Sequence, residues 1–245
     1  MKNDTIVILC PMDGECDLLL SSLENKTETK LGGYLFAEGK LERRNVVVVR
    51  CLIGMVNAAV CTAYAIERYS PRCVILQGTS GAHRFEQHLN DLVIAERIVS
   101  LTNTTSPARK PGEGTNPMEW EEFGVQSYSK KEDAINFANA FYCDKTLVET
   151  AKKVPYTAGN VLIGTVGCGD VWNREADLIS FYRRTRGTDC EAMEGVAVAQ
   201  VCEAFGIPML EIRVISNNEL HDEVHYSIDT AQNCQRFVME LLKRL

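Results

Sequence analysis

The chain has little that would mark it for a membrane, a metal or a nucleic acid. No apolar run reaches the roughly 20 residues that cross a bilayer as a helix. No basic run is longer than Arg183-Arg184-Thr185-Arg186, and the formal net charge of −7 offers no complement to a polyanion. Histidine is scarce. Of the four, His83, His88, His221 and His225, only the last pair has a ligand-like spacing, and His-x3-His alone reads as polar loop groups rather than metal ligands. The ten cysteines contain no Cys-x-x-Cys pair. Scattered from Cys10 to Cys234, several within apolar strand-like runs, they read as buried free thiols of a reducing compartment. The opening Met1-Lys2-Asn3-Asp4 runs into a short strand with no signal-type apolar core, so the expectation is a cytoplasmic protein with no metal and no cofactor, whose partner is a small molecule.

What is present suits a single large domain over residues 1–245, with 45% hydrophobic residues to fill its core. β-branched runs at Thr5 to Leu9, Val46 to Val49, Cys73 to Leu76, Leu92 to Val99, Val161 to Val166 and Met209 to Ile215 predict strands. Apolar spacing of three and four predicts helices over Asp17 to Leu23, Val56 to Arg68, Lys145 to Lys153, Met193 to Phe205 and Thr230 to Leu242. This alternation indicates an α/β sheet covered on both faces, with its site at the carboxyl ends of the strands. Thr102 to Gly124, rich in Thr, Pro and Gly, breaks the rhythm; it is a long loop, either a lid or a surface insertion.

The strand ends carry the chemistry-bearing residues. Pro11-Met12-Asp13-Gly14-Glu15 puts Glu15 just beyond a strand tip, as a general base toward water or as an ordinary acid of a first helical turn. Ile53-Gly54-Met55-Val56-Asn57-Ala58-Ala59 allows close approach of a ligand or of another helix. Gln77-Gly78-Thr79-Ser80-Gly81-Ala82 offers amides and hydroxyls in what reads as a tight turn. Cys190-Glu191-Ala192-Met193-Glu194-Gly195 reads as the start of a buried helix whose acid needs a partner, for instance ribose hydroxyls. Arg213, inside the apolar strand ending Ser216-Asn217, also needs one, from Glu15, Glu194 or Glu211, and the strand ends in side chains able to pair with a base edge. Gly164 to Asn173 is a poor dinucleotide fingerprint and suits a loop with an aromatic platform better.

In this order the segments resemble the nucleoside phosphorylase/nucleosidase superfamily, most closely the methylthioadenosine/S-adenosylhomocysteine nucleosidases and the futalosine hydrolases. The marks are Met12-Asp13-Gly14-Glu15, Ile53 to Ala59, Gly78-Thr79-Ser80-Gly81, Gly169-Asp170-Val171-Trp172, Met193-Glu194 and Arg213 to Asn217. The resemblance implies a three-layer αβα sandwich around a central mixed, twisted β-sheet, and hydrolysis of the N-glycosidic bond of a 5′-modified purine nucleoside. It implies that Glu15 activates water, with Thr79 and Arg213 holding water and sugar. Met193 and Glu194 would bind the ribose, Met12 and Ile53 line the 5′ side, Trp172 lie against the purine, Asn173 give backbone groups to the base, and Ser216 and Asn217 sit at its edge. It also implies a homodimer in which the neighbouring chain helps close the 5′ pocket.

Two positions depart from the nucleosidase pattern. Asn217 stands where those enzymes carry an Asp that protonates adenine N7; an amide cannot deliver a proton but can read a 6-oxopurine such as hypoxanthine. Ala192 replaces a Glu, and Glu191, shifted by one, is expected to point elsewhere. Asp222 and Asp229 are acids farther along that nothing in the sequence brings to the base. Phosphorolysis is the weaker alternative, because no arginine lies near Pro11 to Asp17 and Glu15 would repel phosphate. A non-catalytic nucleoside-binding or storage protein on the same fold is the third reading.

Overall fold

The computed structural model describes residues 4–224 and 226–245, so His225, and with it the His-x3-His pair, lies outside the described residues. The strands are β1 (Ile6–Cys10), β2 (Glu24–Leu31), β3 (Tyr34–Leu41), β4 (Arg44–Arg50), β5 (Cys73–Ala82), β6 (Leu92–Ser100), β7 (Thr104–Thr105), β8 (Glu121–Glu122), β9 (Val125–Ser129), β10 (Ala134–Ala138), β11 (Phe141–Tyr142), β12 (Val161–Cys168), β13 (Cys190–Ala192), β14 (Met209–Asn218) and β15 (Glu223–Val224). The helices are α1 (Asp13–Ser22), α2 (Met55–Tyr69), α3 (Lys145–Ala151), α4 (Ala176–Arg186), α5 (Gly195–Phe205) and α6 (Ile228–Leu242).

The apolar runs form the centre of a mixed sheet ordered β15-β14-β6-β12-β13-β5-β1-β4-β3-β2, with β11 beside β6. β1, all five of whose residues are buried, is covered on both faces, as a run without polar alternation requires. Helix α1 packs on α6, and α2 on α5. Because β14 pairs with β5 as well as with β6, strands β5, β13, β12, β6 and β14 close into a ring, which local periodicity does not reveal.

The six expected strands are present, each starting within two residues of its expected start, and several run on past their apolar stretch. Thus Gly78 to Ala82, read as a turn, is the continuation of β5. Helix α1 begins at Asp13 rather than Asp17, which brings Glu15 into its first turn. The helix expected from Met193 starts at Gly195, and Cys190–Ala192 before it is strand β13, not helix. Strands β2 and β3 were not expected: β2 is exposed along nearly all its length and lacks apolar alternation. Residues 102–124 hold only the β7–β8 pair and a 3-10 turn at Pro117–Glu119. This segment is tied to α4 through the Arg186–Glu122 ion pair (2.8 Å), and none of it lines the cavity described below. All ten cysteines are free and buried. No helix among the described residues is long and apolar enough to cross a membrane.

Candidate active site

A cavity of about 280 Å³ opens at the carboxyl ends of β1, β5 and β14 and is walled by β13 and the segments after β12 and β4. Glu15 lies at its floor. At the third position of α1 it reaches back to accept the Met12 N–H (3.0 Å), half of a capping box. Its other oxygen accepts the Thr79 N–H (2.6 Å) and hydroxyl (2.7 Å). Burial pushes the Glu15 carboxyl above the usual range against the pull of Arg213 and the Thr79 bonds, while Glu194 adds to the push. Gly78 makes room here, since a Cβ on it would stand 2.8 Å from Glu15 Oε1 and 2.9 Å from Arg213 Nη1.

Arg213 is fully buried and draws on two of its candidate partners at once. Its Nε donates to Glu211 (2.8 Å) and its Nη2 to Glu194 (2.9 Å). Burial works against its charge, but Glu211, Glu194 and Glu15 more than offset that and hold it protonated. Glu211 is itself raised by burial, with Arg213 pulling the other way. Glu194, at the N-terminal boundary of α5, also accepts the Gly54 N–H (3.1 Å). Gly54 has φ +100°, a conformation suited to glycine, and the next residue, Met55, donates its N–H to Asp170 (2.9 Å). Asp170 thereby caps α2 from a distant segment and fixes the loop that carries Trp172.

At the opposite end, β14 has a bulge: Ile215 pairs with Ser80, but Asn217, not Ser216, pairs with Gly81. The extra residue re-aims the Asn217 amide. Its Oδ1 lies 3.2 Å from the Ser216 hydroxyl, whose one proton is divided between it and the Ser80 carbonyl (3.3 Å), and Asn217 lines the cavity.

Of the residues expected at the site, Met12, Glu15, Ile53, Thr79, Trp172, Met193, Glu194, Arg213, Ser216 and Asn217 line this one cavity. Asn173 does not. It is buried behind the wall, its N–H (2.8 Å) and side-chain amide (2.5 Å) both donated to Glu191. Glu191, expected to point elsewhere, does line the cavity, and so does its neighbour Ala192: at the end of the short strand β13 consecutive residues border the same space, where regular alternation would send them to opposite faces. Tyr226 lines it too, from a loop with no local signal of its own. Asp222 and Asp229 are exposed and outside it. Arg50 was hidden by its distance in sequence: from the end of β4 it pairs with Asp13 (2.5 Å), although it does not line the cavity. Among the described residues no group of three or more His, Cys, Asp or Glu side chains could hold a metal ion.

A mixed sheet with paired carboxylates, a buried arginine and an amide at its strand ends defines the class, and the family model of the phosphorylase superfamily matches residues 5–245. The chain belongs to that superfamily. It is 28% identical to the 5′-methylthioadenosine/S-adenosylhomocysteine nucleosidase of Shewanella halifaxensis, over 98% of this chain and 99% of that one. It is 29% identical to the enzyme of the same description from Shewanella loihica, over the same shares. The fold matches the nucleosidase of Neisseria meningitidis in complex with methylthio-immucillin-A with a TM-score of 0.80, at 24% identity over 99% of this chain and 100% of that one. It matches a futalosine hydrolase mutant of Helicobacter pylori with a TM-score of 0.79, at 22% identity over 99% and 100%.

Proposed function

We propose that the chain is a purine nucleosidase, hydrolysing the N-glycosidic bond of a 5′-modified nucleoside. The observation that carries this reading is the buried Glu15 carboxylate, held by Met12 and Thr79 on the floor of the cavity and facing the same space as Glu194 and Asn217. As the bond breaks, the ribose becomes oxocarbenium-like and the base gains electron density, so both ends need help. Glu15 takes the proton of the attacking water. Glu194, oriented by Arg213 and the Gly54 N–H, binds the ribose hydroxyls, and Met193, Met12 and Ile53 supply the apolar surround of sugar and 5′ group. Trp172 lies against the purine, and Asn217, beside Ser216, donates to N7 or O6.

Water is favoured over phosphate as nucleophile by charge. Among the described residues lining the cavity Arg213 is the one cation, and two carboxylates already engage it. The reading includes a cytoplasmic homodimer whose second copy closes the open side near Ile53 and Trp172, both about half exposed in the single chain. The test is release of base from methylthioadenosine, S-adenosylhomocysteine, futalosine and inosine, each with and without phosphate, alongside the mass in solution. Phosphate-independent release from a 5′-modified nucleoside is expected; release that requires phosphate, or none at all, would overturn the reading.

A further inference from the structure

Three carboxylates line the cavity, and the nucleosidase reading gives roles to Glu15 and Glu194 only. The third, Glu191, is built in with equal care. It is 6% exposed. Its Oε1 accepts the Asn173 N–H (2.8 Å), and its Oε2 accepts the Asn173 side-chain amide (2.5 Å) and lies 3.1 Å from His83 Nε2. His83 is buried as well, its Nδ1 2.7 Å from the Thr188 hydroxyl, which can donate to it when the ring proton sits on Nε2. A carboxylate has about four lone-pair positions; these contacts fill three and leave one on Oε1.

The sheet sets Glu191 opposite Asn217. Glu191 pairs with Gly81 across β13 and β5, and Asn217 pairs with the same glycine across β14 and β5. Residues paired across neighbouring strands project to one face, so carboxylate and amide stand on the same side, about 10 Å apart at the backbone. Gly81 keeps the floor between them open, since a Cβ there would lie 3.2 Å from Asn217 Nδ2 and 3.6 Å from Glu191 Cγ.

This arrangement has a hydrogen-bond polarity. A peptide N–H facing the cavity would read an acceptor, such as the bare N1 of adenine. Here the Asn173 N–H is covered by Glu191, and what meets the ligand is an acceptor. A 6-oxopurine presents N1–H as donor beside O6 and N7 as acceptors, which matches one carboxylate and one amide. Adenine could offer only its 6-amino group, and would then set its N1 lone pair toward the same carboxylate.

Resting on the nucleosidase reading and deepening it, we propose that Glu191, clamped by Asn173 and His83, is the base-specificity residue of this cavity. It accepts N1–H of a 6-oxopurine while Asn217 donates to the O6/N7 edge.

The test is calorimetric binding of three free bases, hypoxanthine, 1-deazahypoxanthine and adenine, to the full chain and to Glu191→Gln. The deaza base keeps the shape of hypoxanthine and replaces N1–H by C–H. Hypoxanthine is expected to bind about ten- to a hundredfold more tightly than the deaza base, the effect of one charge-assisted hydrogen bond, and the ratio to fall to within about threefold in the variant. A purely structural role for Glu191 would weaken both bases alike and leave the ratio unchanged, which overturns the proposal. Should the variant not fold, the unaltered chain decides: equal affinity for hypoxanthine and its deaza analogue, or tighter binding of adenine, overturns it. Free bases bind without reaction, so failure to hydrolyse would sink the nucleosidase reading without touching this ratio, and a ratio near one would sink this proposal without touching hydrolysis.

Discussion

Glu15 is held by three hydrogen bonds and raised by burial, two effects that serve different ends. The bonds orient it; the raised pKa makes it a better proton acceptor near neutrality than an ordinary carboxylate. Glu15→Gln keeps the shape and removes the base, so turnover should fall a hundredfold or more while affinity for nucleoside, read by calorimetry, changes little. The acid limb of the unaltered chain's pH–rate profile should lie above 4.5, because activity is lost as pH falls through a raised pKa. A limb at or below the ordinary Glu range would mean that another group limits the rate. At this scale the sequence was informative where residue type alone suggested a role. Glu15, Glu194 and Arg213 are costly to bury without partners, and they share one cavity. It misplaced Glu191 and was silent on Tyr226, since their placement depends on a three-residue strand and on a loop that no local pattern specifies.

Among the elements, α2 shows how segments far apart in sequence fix one another. Its N-terminus has no side-chain cap of its own at Gly54 and receives Asp170 instead. Asp170→Ala should cost about 1 kcal/mol, read from denaturant unfolding, and raise KM several-fold more than it lowers kcat by loosening the loop of Trp172. A change in stability with KM unaltered would separate the cap from substrate binding. The interior strands were legible from their apolar runs, and most helices from their spacing. β2 was not, since an exposed edge strand of mixed polar residues gains its conformation from pairing with β3, not from any hydrophobic period. Closure of the five-strand ring was equally hidden, because it depends on which strands meet and each looks the same in either arrangement.

Over the molecule as a whole, the buried acids set stability and activity against each other. Glu211 has a folded pKa raised above its unfolded value, so its stabilising contribution is present below about 4.5 and is lost as pH rises through the folded value. Glu15 acts in the same sense, while its ionised form is the one that the proposed role as general base requires. Urea midpoints measured from pH 4 to 8 should therefore fall less steeply with pH for Glu211→Gln than for the unaltered chain, whatever their absolute heights. Equal slopes would show that Glu211 carries its charge in both states.

The ten buried thiols give the chain an internal clock for its own opening. Burial pushes Cys73 to about 11 and Cys16, Cys61 and Cys234 to about 12, so almost no thiolate exists near neutrality, and none of the ten side chains is accessible while the fold is closed. An alkylating reagent can label them only through transient unfolding. Mass spectra should then show two populations, unlabelled and heavily labelled, with few molecules between, if the sheet opens as one cooperative unit. A ladder of singly and doubly modified species would instead mark which strand leaves first.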